Sequence, residues 1–155
     1  AKVINLIKTD PNSRRILISS YNPEQAEQGV LFPCHSVTIQ FYVEGEYLDM
    51  FCYNRSNDAF HGIPFNIASS SLLLMVVAKL TEKTPRFFHM TMGDTHIYEE
   101  HTVVAQKQVD RMPYKFPTIK IPDIQTLDDI VNLKVSDFIL SEYQCHSDIK
   151  AKMVV

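Results

Sequence analysis

Apolar residues recur at positions 3, 4, 6 and 7, the spacing of one helical face, and predict a helix over residues 2–8. The helix must stop before Pro11, because the residue ahead of a proline avoids helical backbone angles. Asp10-Pro11-Asn12-Ser13 has turn composition, and residues 16–19 read as a short strand. Asn22-Pro23-Glu24-Gln25-Ala26 reads as a capped helical turn with proline at its first position, after which Leu31-Phe32-Pro33 runs extended into Cys34-His35. Residues 37–43 and 47–53 form two strands, and the short Glu44-Gly45-Glu46 link makes them a hairpin. A polar stretch, residues 54–58, follows. Pro64 then opens a helix reaching residue 83, apolar all round at residues 72–77 and therefore expected to be buried on most sides. Residues 87–92 and 96–98 read as one strand interrupted near Gly93, residues 102–111 as helix, and residues 118–121 and 136–140 as edge strands. Helices and strands mix without regular alternation and no linker is visible. The expected class is α+β, in one domain over residues 1–155.

Composition narrows the functions open to such a domain. Fifteen Lys and Arg against eighteen Asp and Glu leave a net charge of −3, which argues against a general nucleic-acid binder and against a surface held to anionic membrane by charge. The apolar run at residues 63–78 is broken by Asn66 and Ser69-Ser70-Ser71 and is shorter than the roughly 20 residues of a membrane span. No signal-peptide pattern is present. Three cysteines without paired spacing point away from a disulfide framework and toward a reducing, cytoplasmic compartment, with Cys52 and Cys145 read as structural.

Four groups of residues could carry chemistry. Cys34, beside His35, is a nucleophile if nearby positive charge favours its thiolate, and a small core hydrophobe otherwise. Arg14, Arg15 and Arg55, with Ser56, could clamp a phosphate through guanidinium forks and a hydroxyl, or be solvated surface charges. The Asn66 amide, at the start of the apolar helix, could read a ring edge with adjacent N–H and C=O groups, or bond to local backbone. His96 and Tyr98, two apart on a strand, share a face and could meet one hydroxyl. Zinc-type spacing is not matched by His96 and His101, so no metal is expected, and no P-loop, dinucleotide or nucleophile-elbow motif occurs.

Taken in order, these signals form a pattern. Ser13-Arg14-Arg15-Ile16, Pro33-Cys34-His35, Gln40-Phe41-Tyr42-Val43 and Arg55-Ser56-x-Asp58 resemble thymidylate synthase. So do Gly62-x-Pro64-Phe65-Asn66-Ile67-Ala68-Ser69, Gly93-Asp94-x-His96-Ile97-Tyr98 and the closing Ile149-Lys150-x-Lys152-Met153-x-Val155. The resemblance covers about the C-terminal half of a usual family chain. It implies a three-layer α+β sandwich with a large mixed, twisted sheet, here incomplete, packed back to back in a homodimer. It implies reductive methylation of dUMP to dTMP, with 5,10-methylenetetrahydrofolate as carbon donor and hydride source. Cys34 would attack C6 of the pyrimidine, with His35 lining the pocket beside it. Arg55 and Ser56 would hold the phosphate, and Arg14 and Arg15 would reach the partner's phosphate. Asn66 would read the uracil edge, and His96 and Tyr98 the ribose hydroxyl. Asp58 would contact the nucleotide and the pterin, with His61, Gly62, Phe65 and the Val155 carboxylate on the folate side.

The sequence departs from the family pattern at Asn54 (usually Gln), Phe32 (a small residue or Pro), His61 (Leu), Ser70 (Tyr) and residues 144–147 (Pro-His-Pro). The family's N-terminal half, with a proton-transferring glutamate, a further arginine loop and tryptophans beside the folate, has no counterpart in these residues. The chain is accordingly expected to be a C-terminal fragment, inactive by itself. Two other readings are a dUMP hydroxymethylase, in which water replaces hydride, and a non-catalytic nucleotide-binding or dimerisation module.

Overall fold

The computed structural model describes residues 1–25 and 37–154. Ala26, Leu31-Phe32-Pro33, the Cys34-His35 pair and Val155 lie outside the described residues. Helix α1 (Lys2–Thr9) comes first, closed by the Asp10 N–H donating to Leu6 O at 2.8 Å. Strand β1 (Leu17–Ser19) precedes a 3-10 turn, Pro23–Gln25, capped by Asn22, whose Oδ1 accepts the Glu24 N–H at 3.2 Å. The hairpin follows as β2 (Thr38–Glu44) and β3 (Tyr47–Asp58), turning at Gly45, whose φ of +59° suits glycine. Helix α2 (Gly62–Leu80) leads to β4 (Thr84–His96), and a 3-10 turn, Glu99–His101, runs into α3 (Thr102–Val109). The remainder is β5 (Thr118–Lys120), α4 (Leu127–Val131), a 3-10 turn Val135–Asp137 and β6 (Ile139–Ser141).

Four strands make the main sheet, in the order β1-β2-β3-β4. The first three run antiparallel, whereas β3 and β4 are parallel, joined by the crossover through α2. Strands β5 and β6 form a separate antiparallel pair. The class is α+β. Alternation along the strands gives the sheet two faces. Ile39, Phe41, Val43, Leu48, Met50 and Cys52 point inward and join Ile7 of α1 with Leu74, Val77 and Ala78 of α2 in one core. Tyr42, Phe51, Tyr53 and Phe87 stay exposed.

Several elements differ from the sequence expectations. Strand β3 does not end at Tyr53 but continues through the polar residues to Asp58. Its buried polar groups find partners inside: Asn54 Nδ2 donates to Asn57 Oδ1 at 3.1 Å, and Asn57 Nδ2 to Asp94 O of β4 at 3.3 Å. Gly93 does not break β4. It lets the strand approach β3, since a Cβ there would stand 2.7 Å from Arg55 O. Helix α2 ends at Leu80, and its apolar surface is only partly covered, with Phe65 75% and Ile67 44% exposed. By length and composition α2 is long enough to cross a membrane, contrary to the shorter run read from the sequence, but it packs along the sheet through Leu74, Val77 and Ala78. The expected strand at residues 136–140 begins as a 3-10 turn and extends only from Ile139. Cys52 is buried in the core, where burial pushes its thiol up, whereas Cys145 is exposed and has no core role.

The β3–β4 pairing contains one irregularity, a register shift between Leu48 and Met50. Asp49 repairs it. Its Oδ1 accepts the Phe87 N–H at 3.1 Å and Arg86 Nε at 3.0 Å, while Oδ2 accepts Arg86 Nη2 at 2.8 Å. Arg86 Nη1 also donates to Glu44 Oε2 at 2.6 Å. The Arg86 hydrogen bonds hold the Asp49 carboxyl below the usual aspartate range, outweighing the upward push of burial. A lowered carboxyl pKa stabilises the fold above the ordinary aspartate pKa, and that stability is lost as pH falls through the lowered value.

Arg86→Met strands the buried Asp49 carboxylate and should cost about 3 kcal/mol near neutral pH. Urea unfolding should show the gap between wild type and variant shrinking as pH falls below the ordinary aspartate pKa; a gap independent of pH would refute the assignment. Gly93→Ala forces its Cβ against the Arg55 carbonyl and should cost roughly 1–3 kcal/mol by the same measurement. Wild-type stability in that variant would mean that β3 and β4 can separate there without cost.

Candidate functional site at the ends of β3 and β4

Parallel strands present their carboxyl ends together, and here those ends carry most of the candidate polar residues. Ser56 pairs in register with Asp94, and Asp58 with His96. The Ala59 N–H donating to His96 O at 2.9 Å extends the contact past the last strand residue. Arg55 and Ser56 thus sit on a strand whose register is fixed by the Asn54–Asn57–Asp94 chain of hydrogen bonds and by the close approach at Gly93.

Asp58 does two jobs at the strand end. Its Oδ1 accepts the N–H groups of Phe60 at 2.9 Å and His61 at 3.1 Å, shaping the turn into α2. Its Oδ2 has no hydrogen-bond partner among the described residues. The turn places Asn66 in the first stretch of α2, where a Cβ added at Gly62 would be 3.5 Å from the Asp58 Cβ and 3.8 Å from Asn66 Nδ2. Neither the Asn66 amide nor the Ser56 hydroxyl makes a hydrogen bond among the described residues, so the local-backbone reading of Asn66 does not apply. On β4, His96 Nδ1 meets Asp94 Oδ1 at 2.7 Å. Tyr98 lies just beyond the strand, yet its ring packs edge-on against His96 with centroids 5.0 Å apart.

A groove of about 450 Å³ opens beside this cluster, lined among others by Phe60, His61, Phe65, Ile97 and Ile149. Its volume is in the range of small-molecule sites. Gly62 does not line it. His61 Nε2 is buried without a partner among the described residues, and the His61 ring stands edge-on to His101 at 4.7 Å. His101 itself is 1% exposed, a core role that sequence reading had not assigned, because its partner is a backbone carbonyl 51 residues away.

The structure therefore brings together Ser56, Asp58, Asn66, His96 and Tyr98, with His61 and Phe65 on the adjoining groove, while Arg55 precedes Ser56 on β3 and is exposed. Arg14 and Arg15 are not part of that cluster. They are exposed on the turn before β1, two strands away from β3, without an ion-pair partner among the described residues. Cys34, His35 and Val155 lie outside the described residues. Among the described residues no three metal-ligating side chains converge.

Chemically, the cluster combines a hydroxyl and an amide able to donate and accept hydrogen bonds with an imidazole–phenol pair, next to the strand position of the Arg55 guanidinium. Comparison with known proteins gives the arrangement a lineage. The family model described as thymidylate synthase matches residues 1–155. A thymidylate synthase of the Aster yellows witches'-broom phytoplasma (strain AYWB) is 48% identical over 154 residues, covering 99% of this chain and 52% of that protein. The chain thus spans about half the length of this curated relative. Sequence pattern, mixed sheet and comparison agree: the chain belongs to the thymidylate synthase family.

Proposed function

We propose that the protein carrying this chain converts dUMP to dTMP with 5,10-methylenetetrahydrofolate as co-substrate. The observation that carries the reading is the convergence of Ser56, Asp58, Asn66, His96 and Tyr98 at the ends of two parallel strands, in a chain of this family. Arg55 and Ser56 hold the phosphate. Asn66, with its amide uncommitted, reads the uracil edge and disfavours cytosine, whose ring presents the opposite donor–acceptor pattern. His96 and Tyr98 meet the ribose hydroxyl. The Asp94 carboxylate on Nδ1 orients the His96 ring.

Cys34 supplies the thiolate that adds to C6 of the bound pyrimidine, with His35 beside it. The addition makes C5 an enolate-like nucleophile for the folate's one-carbon unit. Positive charge from the phosphate-binding arginines favours the thiolate, and clamping the nucleotide at both ends supplies the proximity. The folate lies in the groove of His61 and Phe65, with the free Asp58 oxygen toward the pterin. Loss of the C5 proton expels tetrahydrofolate and leaves an exocyclic methylene; hydride from that tetrahydrofolate then gives the methyl group and dihydrofolate as the Cys34–C6 bond breaks and the thiolate leaves.

A homodimer completes the reading. The exposed aromatic face of Tyr42, Phe51, Tyr53 and Phe87 supports back-to-back packing of two sheets, which would let Arg14 and Arg15 reach the partner's phosphate. The chain by itself is proposed to be a C-terminal part of a single synthase domain and to lack turnover, and the working compartment to be the cytoplasm.

The test is an assay of the full-length protein with dUMP and methylenetetrahydrofolate, following dihydrofolate formation and product mass. We expect equal amounts of dTMP and dihydrofolate, and a loss of roughly 10³-fold or more in Cys34→Ala. A hydroxymethylated product without dihydrofolate would favour the hydroxymethylase. Intact turnover in Cys34→Ala would overturn the covalent route.

A further inference from the structure

Residues 143–154 run without regular secondary structure and are tied down by side chains reaching backbone carbonyls. His146 Nε2 meets Met112 O at 2.9 Å, Arg111 Nη1 donates to Ser147 O at 2.7 Å, and His101 Nε2 donates to Lys152 O at 2.7 Å. The first two ties are exposed. The third starts from a histidine at 1% exposure, where a hydrogen bond is stronger and costlier to leave unmade.

The chemistry of the ring fixes what it does. A nitrogen facing a carbonyl must carry a proton, so Nε2 is the donor, while Nδ1 is buried without a partner among the described residues. The ring is held by Phe60 at 5.4 Å, His61 at 4.7 Å and Tyr98 at 5.7 Å. Two of those neighbours, Phe60 and His61, line the groove, and so does Ile149 of the tied segment. His101 therefore joins one wall of the groove to another.

We infer that His101 is a positioning residue for the folate-side groove: its Nε2–H···O bond to Lys152 fixes residues 147–154 as the wall that carries Ile149. This inference rests on the proposed function for the identity of the groove's ligand. It assigns His101 no contact with the reacting atoms.

The test uses the full-length protein and three variants. His101→Phe keeps the ring and removes the donor. His101→Gln restores a donor near the Nε2 position, and His101→Asn places one near Nδ1 instead. In His101→Phe the KM for methylenetetrahydrofolate should rise about tenfold, the effect of one buried hydrogen bond, while dUMP binding stays within about twofold. His101→Gln should recover most of the loss and His101→Asn should not. Trypsin cleavage after Lys150 and Lys152 should accelerate in the Phe and Asn variants relative to wild type and Gln. A general packing role predicts instead that dUMP binding and folate KM worsen together and that Gln fails to rescue; that result would overturn the inference. If His101→Phe does not fold, the Gln–Asn contrast decides, and equal behaviour of the two overturns it. A wild-type protein that makes no dTMP removes the functional reading, while the trypsin pattern still judges the tie to Lys152.

Discussion

The parallel pairing of β3 with β4 is the constraint on which the candidate site depends. Neither strand carries a complete set of functional groups. Arg55, Ser56 and Asp58 stand on one, His96 stands on the other, and only their register places Asp58 beside His96. That register is held at three points. Asp49 and Arg86 absorb the irregularity near the start, Gly93 permits close approach in the middle, and the Asn54–Asn57 amides bond across near the end. A slip of one residue would turn every side chain of one strand to the opposite face. The buried amides thus help to set which residues meet at the site.

Much of the architecture was legible in the sequence, because it is local. The amphipathic start, the hairpin across Gly45 and the long apolar helix each follow from periodicity and turn composition. The end of β3 was not, because residues 54–58 are polar and polarity usually marks a loop. Here Asn54 and Asn57 satisfy one another inside the structure, which no single-residue property announces. Gly93 misled for a related reason: it marks proximity between backbones, and proximity to a distant strand leaves no trace in the neighbouring residues. Helix α4 did carry a signal, a Thr126–Asp129 capping box, on an element of only five residues.

The site shows the same division. The motifs singled out Arg55, Ser56, Asp58, Asn66, His96 and Tyr98, and the fold gathers all but Arg55, which precedes Ser56 on β3. It does not gather Arg14 and Arg15, which are exposed on the turn before the edge strand β1. His61 and His101 add something no motif announced: two imidazoles in edge-on contact, each with a buried nitrogen unpartnered among the described residues. His61 thus adds an imidazole to a groove wall it shares with Phe60, Phe65, Ile97 and Gln108.

The crossover through α2 also has a consequence in time. The partners Tyr47 and Thr84 are separated by the whole of β3 and α2, so their pairing is a contact between distant parts of the chain. Such contacts form slowly, since the intervening chain must be ordered before they can repay its entropy. The β2–β3 hairpin can close at once, whereas the end of β3 that carries Ser56 and Asp58 acquires its neighbour only after the apolar helix has docked. A chain that has closed the hairpin but not docked the helix would therefore lack the convergence of Ser56 and Asp58 with Asp94 and His96, which marks the last stage of assembly.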